Sequence, residues 1–269
     1  MKVGSYKIDK LLGEGAFGRV YSGHHILLPG IKVCIKQEKT QTEPFKGMFK
    51  AEAELLAQLR HHACPTFLDY LEEPGDVGQL IVLSFIEGTP MDKLLEKRGP
   101  VDDEHICWIL DRILSGLSYL HGRHNVVHCD LKPGNAILDE DNHQVTLVDF
   151  GLATLKPDDT TRAKGGTPGY IPPEFALGYP PIPASDIFSV GKIGIALAGG
   201  DILKGEPPAD MPQPMQDLLL RMIRRDPKER PQTVEVIRDD ILHLRKKVWG
   251  RTTCVEKFKY RPRGQGVKP

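Results

Sequence analysis

The spacing of apolar residues changes once along this chain, near Ile86, and that change limits the folds open to it. Before Ile86, short apolar runs separated by Gly and Pro predict a meander of strands, and one helix is predicted over 45–61. After Ile86, apolar residues recur mostly at helical spacing. Helices are predicted from near Val101 and over 187–197, 214–225 and 233–248. The chain is therefore expected to have an α+β fold, with a small β-rich part followed by a larger helical part.

The helical part contains two exceptions to this spacing. Two short apolar runs, 126–130 and 145–149, predict buried strands, and the Gly-, Pro- and Thr-rich residues 152–183 predict a long ordered loop. A length of 269 residues fits two lobes that share a cleft. The predicted organisation is an N-lobe over 1–86, a C-lobe over 87–248 and a basic tail over 249–269.

The overall charge excludes two classes of function. The chain has 36 Lys and Arg residues and 36 Asp and Glu residues, so its formal net charge is zero. A globally basic nucleic-acid-binding protein and an acidic disordered chain are therefore not expected. The five cysteines are scattered without a C-x-x-C pair, and neither a membrane-spanning run nor a signal-peptide pattern is present. We expect a cytoplasmic protein that carries no membrane anchor of its own.

The C-terminal end differs in charge from the rest of the chain. From His243 onward there are nine Lys or Arg residues and one acid, Glu256, whereas the preceding residues hold 27 basic and 35 acidic groups, a net charge of −8. This pattern fits a solvated helix end followed by an unpacked terminus. The less favoured alternative is a segment that docks on an acidic surface of the same chain or of a partner.

A glycine-rich run near the N-terminus is the first candidate site. Gly13, Gly15 and Gly18 form a G-x-G-x-x-G-x-V run that ends at Val20. Glycines at this spacing let backbone amides approach a phosphate closely, because no Cβ obstructs the approach. The run also fits an ordinary glycine-rich hairpin. Residues typical of strands follow it where a dinucleotide-binding fold would begin a helix, which disfavours that fold.

Lys36 ends an apolar strand, which is an unusual place for an ammonium group. Burying that group without a partner is costly, so we expect it to pair with a carboxylate. Glu52 lies on the apolar face of the predicted helix that follows and is the candidate. The alternative is a surface lysine on an edge strand.

Two turns beside the predicted strands of the helical part hold groups suited to phosphate chemistry. In His128-Cys129-Asp130-Leu131-Lys132-Pro133-Gly134-Asn135, a carboxylate, an ammonium group and an amide oxygen lie in one tight loop. Asp149-Phe150-Gly151 follows the second strand, and a carboxylate together with an amide oxygen suits Mg²⁺. Each turn could be ordinary by itself. Their joint occurrence, in this order with the glycine run and Lys36, indicates a single phosphate-handling site.

In these residues the sequence resembles the eukaryotic-type (Hanks-type) Ser/Thr protein kinase family, from about Tyr6 to Arg238. The resemblance implies a bilobal fold, with a β-rich N-lobe that holds one helix and a larger α-helical C-lobe. It also implies transfer of the γ-phosphate of ATP to Ser/Thr hydroxyls of proteins, with Mg²⁺. Asp130 is the implied residue that orients the substrate hydroxyl and accepts its proton, and Lys132 is the implied γ-phosphate contact. Asn135 and Asp149 are the implied magnesium ligands.

The same resemblance implies which residues bind ATP. The three glycines of the run cover the phosphates, and Lys36, paired with Glu52, contacts the α- and β-phosphates. Leu83 is the implied gatekeeper, and the adenine ring is bound by a hinge and by three flanking side chains. The adenine-site residues are Ser84 to Ile86 in the hinge, with Val20, Cys34 and Ile137 around the ring.

Further motifs resemble the substrate side of the family. Gly166–Glu174 resembles the substrate-side loop, and Thr167 within it is typical of kinases that act on Ser/Thr hydroxyls. Asp186 resembles the residue that braces the catalytic loop. Glu174 is expected to pair with Arg230, and that pair is structural rather than catalytic.

Three departures from the family pattern lead to expectations of their own. The usual Arg before the catalytic Asp is Cys129, which cannot pair with a phosphate, and the usual phosphoacceptor position holds Ala163. We therefore expect a bacterial-type kinase that does not need activation-loop phosphorylation. Cys34 replaces a small Ala and is expected to pack as a small hydrophobe. Only 44 residues separate Asp186 from Arg230, so the substrate-docking helix is expected to be shortened or absent over Gly199–Met211.

Two other functions fit part of the pattern. A small-molecule kinase of related fold would keep the catalytic and metal-binding residues but would not need the loop Gly166–Glu174. A pseudokinase scaffold would be expected to lack one of four residues, all of which are present: Lys36, Asp130, Asn135 and Asp149. An active kinase is favoured, and Lys36→Met is expected to abolish transfer while leaving the fold intact, because Lys36 would position phosphate rather than pack the core.

Overall fold

The computed structural model of the chain divides into two compact units, Met1–Glu87 and Gly88–Pro269. It describes residues 1–15, 18–40, 42–73, 77–253 and 257–261. The division falls one residue after the boundary that the change in apolar spacing predicts. Within the described residues, none of the helices has both the length and the apolar character needed to cross a membrane.

The first unit is a six-stranded sheet with one helix. Neighbouring strands are antiparallel and follow the order β1-β2-β3-β4-β6-β5. The elements are β1 (Lys2–Val3), β2 (Tyr6–Glu14), β3 (Gly18–His25), β4 (Lys32–Glu38), α1 (Phe45–Gln58), β5 (Phe67–Glu73) and β6 (Gly78–Ser84). Helix α1 stops before His61 because Leu59 already has extended backbone angles.

Strand β4 is packed on both faces. Its side chains alternate between the apolar core on one face and the candidate site residues on the other. Val33 and Ile35 are fully buried in an apolar core that Leu80 and Val82 of β6 share. Because successive side chains of a strand point to opposite faces, Cys34 and Lys36 lie on the other face.

The second unit is mainly helical. Its helices are α2 (Met91–Arg98), α3 (Asp103–Tyr119), α4 (Pro173–Ala176), α5 (Pro183–Ala198), α6 (Gln213–Met222) and α7 (Val234–Trp249). Its short strands are β7 (Thr89–Pro90), β8 (Val126–Val127), β9 (Ala136–Asp139), β10 (Gln144–Leu147) and β11 (Thr154–Leu155). They form two small antiparallel sheets, β10-β9-β7 and β11-β8.

Helix α5 forms the core of this unit. It buries 14 of its 16 residues, which is typical of a helix that is surrounded by protein. Gly194 lets α6 approach closely, since a Cβ there would lie 2.5 Å from Leu219 Cδ2. The fold thereby fixes Asp186, which is near the start of α5, deep inside the unit.

The bounds of several strands and loops of the second unit differ from the predicted ones. Strand β8 ends at Val127 and β10 ends at Leu147, so Asp130 and Asp149 lie in loops instead of at the ends of strands. The loop over 152–183 contains β11 and α4. Residues 199–211 contain no helix, as expected, and an isolated bridge between Asp201 and Glu206 closes this segment.

The C-terminal residues do not form the unpacked terminus that one interpretation of their charge predicted. Helix α7 runs to Trp249, and residues 257–261 lie against the second unit. The interpretation as a solvated tail is therefore wrong for these five residues. Docking on an acidic surface of the same chain accounts for them. Cys254 and residues 262–269 lie outside the described residues.

Candidate active site

Lys36 and Glu52 form a buried ion pair within the first unit. The ammonium group donates hydrogen bonds of 2.7 Å to both carboxylate oxygens. The two side chains are 8% and 3% exposed, so each charge would be costly to bury without the other. The partner predicted from sequence is the one observed. The pair holds the lysine ammonium at a fixed place at the middle of the sheet.

The three glycines of the run lie at the facing ends of β2 and β3: Gly13 is near the end of β2, Gly15 follows that strand and Gly18 begins β3. The Gly15 amide donates to the Gly18 carbonyl at 2.9 Å. A Cβ on Gly18 would lie 2.6 Å from the Gln37 carbonyl oxygen, so packing requires this glycine. A Cβ on Gly13 would meet nothing within 4 Å and one on Gly15 only a carbonyl at 4.0 Å. These two glycines leave open space beside the backbone, as a phosphate-covering loop requires.

The residues predicted to surround adenine lie in both units. Cys34 is opposite Leu83 in the pairing of β4 with β6, and Val20 is opposite Lys36 in the pairing of β3 with β4. Burial raises the pKa of the Cys34 thiol to about 11, which favours a protonated, hydrophobic side chain as predicted.

The hinge residues begin with the last residue of β6, Ser84, and continue directly after the strand. Ser84 is held by two hydrogen bonds with Thr66, from the Ser84 amide at 2.8 Å and to the Ser84 hydroxyl at 2.9 Å. Ile86 is half-buried two residues later. Ile137 is half-buried on β9 of the second unit, opposite Pro90. Their contact with adenine stays a prediction.

Asp130 is the centre of a polar cluster in the second unit. Thr167 donates its hydroxyl proton to Asp130 Oδ1 at 2.6 Å. Lys132 Nζ donates to Asp130 Oδ2 at 3.0 Å and to the Thr167 hydroxyl at 2.7 Å. Asn135 Nδ2 donates to Asp130 Oδ2 at 3.0 Å and to the Asp130 carbonyl at 2.8 Å. The carboxylate thus already accepts a hydrogen bond from an aliphatic hydroxyl, and an ammonium group contacts both.

Asp186 of α5 holds the loop that carries Asp130 through hydrogen bonds from the loop's backbone. This carboxylate accepts the His128 amide at 2.8 Å, the Cys129 amide at 3.0 Å and His121 Nε2 at 2.8 Å. Cys129 has a φ of 68°, a left-handed conformation that costs free energy for a residue with a side chain. The three hydrogen bonds to Asp186 offset that cost. The brace predicted for Asp186 is present.

His121 was not singled out from the sequence. It lies in the π-helical turn Leu120–His124 that follows α3, and no motif surrounds it. Its hydrogen bond to Asp186 depends on the packing of α3 on α5, which links residues 65 positions apart. The one feature of the sequence that could have pointed to His121 is its position directly after the predicted helix that begins near Val101.

A backbone hydrogen bond links Asn135 to the residue that precedes Asp149. The Val148 amide donates to the Asn135 carbonyl at 2.9 Å, which ties the residue after β10 to the loop that carries Asp130. Because Asn135 uses its side-chain NH₂ group on Asp130, its side-chain oxygen is the atom left for a cation. Asp149 has a φ of 62°. One amide oxygen and one carboxylate suit Mg²⁺ that is held partly by phosphates and water. The described residues contain no larger cluster of three or more His, Cys, Asp or Glu groups that could hold a metal.

His128 and Phe150 connect the two loops. Their rings lie 4.9 Å apart, and both side chains are buried. Burial lowers the pKa of His128, so the ring is neutral. It acts as a packing surface between the loop of Asp130 and the Asp149-Phe150-Gly151 turn.

The substrate-side loop ends in a second buried ion pair. Arg230 forms two hydrogen bonds of 2.7 Å with the two carboxylate oxygens of Glu174, as predicted. Further bonds run from Arg230 to the Ala184 carbonyl and from the Ser185 hydroxyl to Glu174. The Ser189 hydroxyl on α5 donates to the Tyr170 carbonyl at 2.9 Å. The loop that carries Thr167 is therefore attached to α5 at two places.

Arg230→Met is expected to lower the free energy of unfolding by about 3–5 kcal/mol, because it leaves the Glu174 carboxylate buried without a counter-charge. Arg238→Met is the matched control: Arg238 pairs with Asp111 at 2.8 Å, but its side chain is 36% exposed. Loss of that pair should cost less than about 1 kcal/mol. Urea unfolding of both variants measures the difference, and equal shifts would contradict a role for burial.

Comparison with known proteins identifies the class to which this fold and site belong. Residues 6–206 match the family described as "Protein kinase domain". The chain belongs to the protein kinase family. The predicted fold class, with a β-rich N-lobe and a larger helical C-lobe, is thereby confirmed.

Within this family the chain is similar to bacterial Ser/Thr protein kinases, in line with the predicted type. It is 32% identical over 206 residues to the Ser/Thr protein kinase PknA of Mycobacterium tuberculosis (strain ATCC 25177 / H37Ra), which covers 73% of this chain and 47% of that protein. It is 30% identical over 216 residues to Ser/Thr protein kinase B of Synechocystis sp., covering 73% and 37%. It is 27% identical over 270 residues to Ser/Thr protein kinase pkn3 of Myxococcus xanthus, covering 88% and 49%. The chain spans between about a third and a half of the length of these relatives.

Proposed function

We propose that this chain transfers the γ-phosphate of ATP to Ser or Thr hydroxyls of protein substrates. The observation that carries the proposal is the Asp130 cluster, in which a threonine hydroxyl donates to the carboxylate and Lys132 contacts both groups. A substrate hydroxyl that takes the same donor position would be oriented for attack, and its proton would have an acceptor. Names of the relatives support Ser/Thr as the acceptor.

In the proposed reaction the substrate hydroxyl oxygen forms a bond to the γ-phosphorus, and the bond from this phosphorus to the β–γ bridging oxygen breaks. ADP leaves, and the hydroxyl proton moves to Asp130 and then to solvent. Negative charge on the phosphate oxygens is met by Lys36, by Lys132 and by the amides of the glycine run. Mg²⁺, when bound by Asn135 and Asp149, supplies further positive charge to the phosphates. The remaining role of this chain is to orient the substrate hydroxyl and to accept its proton at Asp130.

The other two candidate functions have less support. A small-molecule kinase has no need of the loop Gly166–Glu174, yet buried bonds fasten this loop to α5 and to Arg230. A non-catalytic scaffold has no need to keep Lys36 paired or Asp130 surrounded by donors. Incubation with γ-labelled ATP and a generic protein substrate tests all three. Label on Ser or Thr supports the proposal, label only on small molecules supports the second function, and no label supports the third.

We further propose that activity does not depend on phosphorylation of the activation loop. Cys129 is buried at the position where the family has an Arg, and its Sγ lies 3.6 Å from the Thr154 hydroxyl. Burial raises the pKa of this thiol, so it stays neutral. Strand β11 pairs with β8, and the Lys156 amide donates to the Asn125 carbonyl at 2.7 Å. These contacts hold the start of the loop without a phosphate.

Phosphatase-treated protein is expected to keep its phosphotransfer rate. Two hydroxyls of the loop could accept phosphate by accident, those of Thr160 and Thr161. Both donate hydrogen bonds to the Asp158 carboxylate in an exposed turn. A Thr160→Ala, Thr161→Ala variant is the matched control and should also keep its rate. A loss of more than about tenfold, restored by rephosphorylation, would contradict the proposal, since only a required phosphate-ordered loop behaves in this way.

A cytoplasmic location and the absence of a nucleic-acid partner belong to the same proposal. The four cysteines within the described residues are free thiols, which suits a reducing compartment. Three of them, Cys64, Cys107 and Cys129, are buried. The balanced net charge supports a protein substrate over a nucleic acid.

A further inference from the structure

Residues 257–261, called the strap below, lie across the second unit after α7 and outside the residues that match the kinase family. The strap is held by main-chain bonds at its end. Tyr260 forms an antiparallel bridge with Val101, the Arg261 amide donates to the Pro100 carbonyl at 2.8 Å, and the Asp102 amide donates to the Lys259 carbonyl at 3.2 Å. The strap thus pairs as a short extended segment with the chain that enters α3.

Side chains of the strap alternate between solvent and protein. Lys257 and Lys259 are exposed, whereas Phe258 and Tyr260 are half-buried. This alternation is typical of an extended peptide that adds to an edge: main-chain bonds hold it, and alternate side chains select it.

The inward side chains contact an aromatic surface. The Phe258 ring lies 4.8 Å from the His105 ring and 6.3 Å from the Trp108 ring, both on α3. The Tyr260 hydroxyl is hydrogen-bonded to Glu140, and the Arg98 guanidinium lies 5.2 Å from the Tyr260 ring centre. Aromatic contacts of this kind stabilise binding beyond the area they bury.

Charge complements the aromatic contacts. Arg261 pairs with Asp103 and, at 2.9 Å, with Asp210. Before the strap, Arg251 pairs with the buried carboxylate of Glu104 at 2.6 Å and holds the pKa of that group below its ordinary value. Basic groups on both sides of the aromatic pair therefore meet acids near the first turn of α3.

We propose that the face formed by Pro100–Asp103, His105, Trp108, Glu140 and Asp210, called the strap site, is a recognition surface for an aromatic-x-aromatic-Arg peptide. Residues 257–261 occupy it as an exchangeable intramolecular ligand. The outward lysines, the single bridge and the partly exposed anchors describe a bound peptide rather than a strand of the core. This site takes no part in the proposed phosphotransfer.

The test uses the full chain with its strap weakened by Phe258→Ala and Arg261→Ala. The probe is a fluorescent synthetic peptide with the sequence of residues 255–263, and binding is measured by fluorescence anisotropy. The weakened variant should bind the peptide saturably. The wild-type chain should bind it at least about tenfold more weakly, because a tethered segment competes at an effective concentration on the order of millimolar.

Three controls define the site. A peptide with Phe258→Ala should bind at least fivefold more weakly, by loss of its aromatic contact, which is about 1 kcal/mol. Asp103→Asn with Asp210→Asn in the weakened variant should reduce binding, and Glu229→Gln, which changes an exposed acid outside the strap site, should not. Equal binding by the wild-type and weakened chains would overturn the proposal, as would no binding to a weakened variant with wild-type circular dichroism.

Amide hydrogen exchange of the wild-type chain gives an independent readout if the weakened variant does not fold. The amides of Arg261 and Asp102 should be protected, because both donate bonds between the strap and the strap site. Their protection should be lost at lower denaturant concentration than that of α5. Exchange of the Arg261 amide at the rate of an unstructured peptide would overturn the proposal.

Discussion

Asp130→Asn should lower kcat by about 10²- to 10⁴-fold, the usual contribution of a positioned general base. The carboxylate is the acceptor for the hydroxyl proton, and an amide cannot take up that proton at neutral pH. Whichever way the new amide turns, its NH₂ group replaces an oxygen that accepts a hydrogen bond, either from Thr167 or from Lys132 and Asn135. Two donors would then face each other, so the cluster that orients the hydroxyl would also be disturbed.

The measurement is initial-rate transfer from labelled ATP to a protein substrate, with ATP binding measured separately. Affinity for ATP should change little, because Asp130 bonds to Thr167, Lys132 and Asn135, whereas the adenine ring and the α- and β-phosphates are expected to be held by other residues. Asp141→Asn, which changes an exposed acid in the turn after β9, is the matched control and should keep the wild-type rate. Equal incorporation by Asp130→Asn and wild type would remove Asp130 from the reaction and the kinase proposal with it.

The pairing of Lys36 with Glu52 could be predicted from sequence because local rules determine it. A lysine at the end of a buried strand needs a carboxylate, and the following helix presents one on its apolar face. The two residues are only 16 positions apart. The same reasoning located the change from strands to helices, since it depends on the period of apolar residues alone.

The contact between Thr167 and Asp130 could not be predicted by such rules. It joins residues 37 positions apart and depends on how the substrate-side loop is fastened to α5. The ends of β8 and β10 were placed too late for a related reason. Apolar residues continue toward Asp130 and Asp149, but the left-handed backbone of Cys129 and of Asp149 ends the strands. For Cys129, that conformation is stabilised by Asp186, a residue 57 positions away.

The charge of the C-terminal residues allowed docking on an acidic surface as one of two interpretations, and it did not determine where that surface lies. The acids that meet the strap come from three separated segments, at Asp103, Glu140 and Asp210. Only the folded second unit brings them together. The positive charge of the strap can be read from the sequence, whereas the acidic site that it meets exists only in the folded second unit.

Lys36→Met should lower the rate of transfer by at least about 10²-fold, the usual effect of removing one preorganised positive group from a developing anion. The structure adds a second effect that sequence reasoning missed. Because both members of the pair are almost fully buried, removal of Lys36 leaves the Glu52 carboxylate without its ammonium partner. The free energy of unfolding should fall by about 3–5 kcal/mol, and the expectation that the fold stays intact is therefore replaced.

A second variant separates the loss of chemistry from the loss of stability. Lys36→Met combined with Glu52→Leu removes both charges, and replacement of a buried ion pair by apolar side chains is often neutral or stabilising. The double variant should recover most of the unfolding free energy in urea while its rate of transfer stays as low as that of Lys36→Met. Rates are compared at a temperature where all three proteins are folded by circular dichroism.

The two measurements test different statements about Lys36. Wild-type stability of the single variant would mean that Glu52 is not buried with its charge, so the description of the pair would be wrong while the chemistry remained. Recovery of transfer in the double variant would mean that Lys36 acts only by keeping α1 and β4 together. Stability restored without activity is the one result that requires the ammonium group itself, because only then is the charge missing from a sheet and helix that remain folded.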